Sequence, residues 1–135
     1  MHAPYLPYIA YADDDPDDRE LFTGMLRHLA VPIVPMFFND GLHLIQHLEK
    51  LAPSDPLPRC VVLDLNMPMW DGIRTLQTLR SQHRYRQLPI VIFTTSSAAR
   101  DRDRCLQLGA NDFLIKPCNR EEEAALAIRL RPYIA

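Results

Sequence analysis

The chain has few cysteines and no large excess of charge of either sign, and it lacks any long apolar run; each shortage removes a class of protein. Its three cysteines, Cys60, Cys105 and Cys118, are odd in number, widely spaced and without a C-x-x-C pair. Neither a disulfide framework nor a zinc cluster is expected, and a reducing compartment fits best. With 15 basic and 17 acidic residues the net charge is −2, which offers no general attraction to nucleic acid or to anionic lipid. No apolar stretch is long enough to span a bilayer, and no basic segment followed by an apolar one opens the chain. These absences lead to the expectation of a cytoplasmic protein without direct nucleic-acid or membrane contact. No internal repeat or low-complexity tail interrupts the 135 residues, and one domain over residues 1–135 is expected.

What is present is an alternation. Short runs that are apolar almost throughout, as in a parallel sheet covered on both faces, alternate with longer stretches of helical period. Residues 8–12 read as the first strand, after which Asp15 caps a helix with Pro16 at its first position and Asp17 and Asp18 in its first turn. Leu21, Phe22, Met25, Leu26 and Leu29 make that helix's core stripe. Residues 33–39 form a second strand, placed toward an edge because Pro35 cannot donate to a ladder. A helix over 41–52, a proline-broken loop over 53–58 and a central strand over 60–65 follow. Then come a helix over 71–82, a strand over 89–95 with a hydroxyl-rich end, and a helix over 97–108 stopped by Gly109 in a left-handed cap. A strand over 112–116 and a helix capped by Asn119, with Glu122 completing a capping box, finish the chain. This is an α/β chain with a doubly wound five-stranded parallel sheet flanked by five helices.

In such sheets chemistry collects outside the carboxyl ends of the strands. The polar residues expected there are Asp13 and Asp14, Asp64, Thr94 and Thr95, and Lys116. Three carboxylates brought together repel one another and need a cation to remain ionised. With only oxygen ligands in reach, a hard ion such as Mg²⁺ suits them. A carboxylate beside a metal can be a nucleophile toward phosphorus, and Asp64 is placed for that. Lys116 supplies a mobile positive charge, and Thr94 a hydroxyl able to donate to a phosphoryl oxygen.

Four motifs, "ADDDP", "VLDLNMPMWDG", "IFTTSS" and "DFLIKPC", occur in order on the ends of the proper strands. Together they make the chain, from about residue 8 to residue 131, resemble the receiver domain of two-component response regulators, in the stand-alone form. The resemblance implies a flavodoxin-like sheet of order 2-1-3-4-5. It implies Asp64 as phosphoacceptor and Asp13 and Asp14 as the Mg²⁺ pair, with Mn²⁺ as a substitute ion. Asp64 and the backbone carbonyl of Asn66 would complete the metal site. Thr94 would be the switch hydroxyl and Lys116 the cation that pairs with phosphate. Pro117 would follow a cis peptide bond, while Pro68 and Gly72 would shape the loop after the acceptor. The switch aromatic, often tyrosine in the family, is Phe113 here, so a hydroxyl-mediated contact in the active state is lost. The partners implied are a histidine kinase or histidine phosphotransfer protein and a downstream protein. A homodimer through the face of the fourth helix, fifth strand and fifth helix is also implied. The "DDDPDDREL" and "TTSS" segments are similar to those of stand-alone receivers paired with phytochrome-type or hybrid kinases.

Two rival functions use the same residues. A haloacid-dehalogenase-like phosphohydrolase would also form an aspartyl phosphate, but it needs a second aspartate two residues after the nucleophile, where Asn66 stands. A phosphate-independent binding module on this fold would be expected to lack one of the acidic pair, the acceptor or the lysine, and all are present. Elsewhere the plain readings hold. His43 and His47 share a helix face without a third ligand, residues 101–104 are a solvated helix face, and Cys60 and Cys105 pack as small apolar groups. Met69 and Trp70 are equally compatible with a recognition surface and with loop packing.

Overall fold

The computed structural model describes residues 6–135. Five strands, β1 (Tyr8–Ala12), β2 (Val34–Phe38), β3 (Cys60–Leu63), β4 (Ile90–Thr94) and β5 (Asp112–Ile115), form one all-parallel sheet of order β2-β1-β3-β4-β5. Five helices connect or follow them: α1 (Pro16–Arg27), α2 (Gly41–Glu49), α3 (Gly72–Arg80), α4 (Ala99–Gln107) and α5 (Arg120–Ile134). This is the flavodoxin-like receiver architecture.

Alternation along the strands divides the core in two. Ile9, Tyr11, Val62, Val91 and Phe93 point to one face, where Phe22, Met25 and Leu26 of α1 and Leu126, Leu130 and Ile134 of α5 cover them. Ala10, Ala12, Val61, Leu63, Ile90 and Ile92 point to the other, under Leu44 and Leu48 of α2, Leu76 and Leu79 of α3 and Cys105 of α4. Every residue of β3 and β4 is buried. At roughly 1.5–3 kcal/mol for each fully buried large aliphatic side chain, these central strands anchor the carboxyl ends where the site is built.

The edge strand β2 has its own chemistry. Val34 N–H donates to the Pro7 carbonyl and Phe38 C=O accepts from Asp13, so residues 34, 36 and 38 bond to β1 while 33, 35 and 37 face outward. The N–H that Pro35 lacks would have pointed to the open edge, the position where a strand tolerates proline.

Several ends differ from the pattern-based boundaries. The central strand stops at Leu63 rather than residue 65, because its neighbour β1 ends opposite it at Ala12. α2 stops at Glu49, and the carbonyls of Leu51 and Ala52 just beyond it are taken by Arg84 at 2.9 and 2.8 Å. α4 begins at Ala99 rather than residue 97. Ala98, which has no side-chain acceptor, stands at the cap position, and Ser96 before it accepts the Ala98 N–H at 3.3 Å while donating its hydroxyl to Asp101 at 2.6 Å. A 3-10 turn at His83–Tyr85 is too short to leave a periodic signal.

The caps behave as the side chains dictate. Asp15, Asp40, Asp71 and Asn119 each accept a backbone N–H in the first turn of their helix. Glu122 reaches back one residue further than a strict capping box, to the N–H of Cys118 at 2.8 Å. Gly109 adopts φ 105°, the left-handed conformation expected of it. Its carbonyl is bound by Arg80, whose guanidinium also donates to the carbonyls of Tyr85 and Leu88 and to the Asn111 side chain, at 2.8–2.9 Å. One cation without a carboxylate partner thus staples the approach to β4 and β5.

Candidate functional site

The carboxyl ends of β1, β3, β4 and β5 bring Asp13, Asp64, Thr94 and Lys116 together, since each residue ends or immediately follows its strand. Asp13 is fully buried. Its Oδ2 accepts the Tyr11 hydroxyl at 2.7 Å and its Oδ1 accepts the Asp15 N–H at 3.0 Å. The Asp13 backbone is held from both sides: its N–H donates to Phe38 C=O, and its carbonyl accepts Arg19 Nε at 2.7 Å. Arg19 also donates to Asn39 Oδ1 at 2.7 Å, which ties the ends of β1 and β2 together.

Lys116 is the centre of the cluster. Its Nζ lies 2.9 Å from Asp13 Oδ2, 2.7 Å from Asp64 Oδ2 and 2.7 Å from Asp18 Oδ2. Burial pulls the lysine's pKa down, but its hydrogen bonds to Asp18, Asp64 and Asp13 outweigh that and hold it above the usual value, so it stays an ammonium. Burial, followed by the Asp13 charge, pushes the Tyr11 hydroxyl up, so it remains a donor. Carboxylate oxygens of Asp13, Asp18 and Asp64 all lie within 4.8 Å of one another. One ammonium among three such groups leaves negative charge uncompensated, and an all-oxygen donor set of that sign fits a divalent metal.

The remaining predicted residues are distributed around this cluster. Asp14, next to Asp13, is exposed and not among the three clustered carboxylates. Asn66 is exposed on the loop after β3, and its N–H lies 3.5 Å from Asp64 Oδ1, at the limit of a hydrogen bond. Thr94 is fully buried; its carbonyl accepts Lys116 N–H at 2.7 Å, and its hydroxyl is 3.4 Å from Ser96 N. Phe113 is buried in the core on the α2, α3 and α4 face. Pro68 is exposed on the acceptor loop. Gly72 is buried, and its N–H donates to Leu65 C=O at 3.1 Å. The expected cis bond before Pro117 is corrected: no described peptide bond is cis, and trans is the intrinsically favoured isomer even before proline.

Asp18 is the residue that sequence analysis reads only as part of a helix start. It stands five residues after Asp13, in the first turn of α1, and its side chain enters the cluster. The signal available was the surplus itself, since one cap and one acidic neighbour would have started the helix. His43 and His47 do not converge: His43 Nδ1 pairs with the α2 cap Asp40 at 2.8 Å, and His47 Nε2 meets the Tyr8 hydroxyl at 3.0 Å. Trp70 packs under the Arg74 guanidinium, 4.0 Å from the ring centre, while Met69 is exposed at φ 62°.

Residues 9–127 match the family described as the response regulator receiver domain. The Two-component response regulator ORR5 of Oryza sativa subsp. japonica is 27% identical over 124 residues, covering 92% of this chain and 88% of its own length. Among solved structures, response regulator RPA3017 in red light signaling of R. palustris has a TM-score of 0.81 at 26% identity, covering 93% of this chain and 92% of that one. The receiver domain of sensor histidine kinase PA1611 from Pseudomonas aeruginosa PAO1, with a magnesium ion coordinated in its active-site cleft, has a TM-score of 0.75 at 27% identity. It covers 96% of this chain and 98% of its own.

Proposed function

The chain belongs to the response regulator receiver domain family, and from that membership we propose that it accepts a phosphoryl group from a phosphohistidine donor onto Asp64. The observation that carries this reading is the contact of Lys116 Nζ with Asp64 Oδ2 at 2.7 Å, beside buried Asp13, where four strands end. An Asp64 carboxylate oxygen forms the new bond to phosphorus. The bond from phosphorus to the donor imidazole nitrogen breaks, its electron pair returning to that nitrogen. Lys116 pairs with the phosphoryl oxygens as charge arrives, and the Thr94 hydroxyl, once turned, donates to one of them.

Asp13, Asp14, Asp64 and the carbonyl of Asn66 would hold Mg²⁺, or Mn²⁺ in its place. When bound, the ion would supply neutralisation of the phosphoryl oxygens. The receiver domain of PA1611, with magnesium coordinated in its active-site cleft, supports a divalent ion here. Asn66 stands where a phosphohydrolase needs an acid/base carboxylate, so hydrolysis of the aspartyl phosphate is left to slow attack by water.

The donor is a histidine kinase or histidine phosphotransfer protein in the cytoplasm, and the output is contact with another protein. Among the described residues no helix is long and apolar enough to cross a membrane. A groove of about 510 Å³ bordered by Arg102 of α4, Ile115 of β5 and Arg129 of α5 supports this face as the partner or homodimer surface. Phe113, buried beside it, would repack there without a hydroxyl contact.

The test is intact mass after incubation with acetyl phosphate, with and without Mg²⁺, for wild type and Asp64→Asn. The expected result is a Mg²⁺-dependent gain of about 80 Da, the mass of one phosphoryl group on a carboxylate, lost in the variant. A wild type that neither gains this mass nor binds beryllofluoride would favour the phosphate-independent module.

A further inference from the structure

We infer that Asp18 is a positioning residue that acts through Lys116, strengthening metal binding while slowing phosphorylation; this rests on the phosphoacceptor reading of Asp64. An ammonium has three N–H donors. On Lys116 all three are taken, one each by Asp13, Asp18 and Asp64.

The three acceptors are not equivalent. Asp13 also receives the Tyr11 hydroxyl and the Asp15 N–H. Asp64 must give an oxygen to phosphorus. The Asp18 carboxylate, one quarter exposed at the start of α1, has Lys116 as its hydrogen-bond partner. Asp18 therefore compensates the lysine's charge without giving an atom to the reaction.

That compensation has two opposite consequences. A divalent cation entering beside Asp13 and Asp64 meets less repulsion from the ammonium, because Asp18 offsets it. An incoming phosphoryl group meets the reverse: its oxygens compete with Asp18 for Lys116, and the Asp18 charge repels them. At 2.7 Å and largely shielded from solvent, the pair is screened less than a surface pair would be.

The change to Asp18→Asn keeps the shape and an acceptor oxygen while removing the charge; Asp18→Glu keeps the charge. Mg²⁺ affinity is read by calorimetry, and phosphorylation by the time course of intact mass with acetyl phosphate at saturating Mg²⁺. Asp18→Asn is expected to weaken Mg²⁺ binding roughly three- to tenfold and to speed saturated phosphorylation by a similar factor. Asp18→Glu is expected to keep Mg²⁺ affinity within about twofold of wild type. Structural damage would depress both quantities, so a joint fall in Asp18→Asn overturns the inference, as does no change in either. Absence of any adduct on wild type overturns the phosphoacceptor reading and this inference with it. An adduct on wild type without the opposed shifts in Asp18→Asn overturns this inference alone.

Discussion

Gly72 shows how closely one residue can be bound to the reaction centre without touching it. A Cβ built there would overlap the Asp64 carbonyl oxygen and lie 3.0 Å from Leu65 Cα, both of them backbone and unable to rotate away. Gly72→Ala is therefore expected to cost about 1–3 kcal/mol of stability through overpacking, seen as a lower urea midpoint at unchanged slope. It also moves Asp64, so phosphorylation by acetyl phosphate falls beyond what the stability loss explains. The resemblance marks Gly72 as a loop-shaping residue, but the steric reason is not readable in sequence, because φ there is unexceptional and the obstacle is a neighbour eight residues earlier. Asp64 and Lys116 were legible for the opposite reason: each interrupts or ends an apolar strand, where a charge without a purpose is costly. Asp18 was not, because an aspartate in the first turn of a helix already has a local reason to be there.

At the scale of elements, what could be read was what leaves a periodic mark. The helices α1 to α4 carry one, the buried strands read as unbroken apolar runs and α5 by its Asn119 cap, whereas the exact ends depend on neighbours, as β3 stops where β1 stops. The junction of β1 and α2 adds a pH response. His47 of α2 accepts from or donates to the Tyr8 hydroxyl of β1 at 3.0 Å, and burial, followed by nearby Lys50, lowers its pKa below 6.5. Below that value the unfolded chain binds a proton the folded chain resists, so stability rises with pH through this window and is lost as pH falls. Urea midpoints at about pH 7.5 and about pH 5.5 should differ less in His47→Gln than in wild type. An equal drop in both would remove His47 from the account.

For the molecule as a whole, sheet order decides which parts hold longest. β1, β3 and β4 lie between neighbours and are buried almost throughout, whereas β2 is half exposed at one edge and β5 closes the other. Hydrogen exchange should find amides of β1, β3 and β4 opening only with global unfolding, and those of β2 and α2 opening earlier. If β2 were as protected as β3, the two layers would have to unfold as one unit. Asp13, Asp64 and Thr94 stand at the ends of these three inner strands, while Lys116 comes from the β5 edge.

The open side of β2 has a further consequence. Of its outward-facing residues, Ile33 spends its N–H on Val31 at 2.9 Å and Pro35 has none, which leaves Phe37 with the one amide there able to greet a newcomer. Val34 and Met36 expose apolar surface beside that rim. A strand from another molecule would find apolar surface and outward carbonyls to donate to, but only the Phe37 N–H to accept from. Pairing at this edge is thereby short of two donors, the Ile33 N–H that Val31 engages and the one that Pro35 lacks.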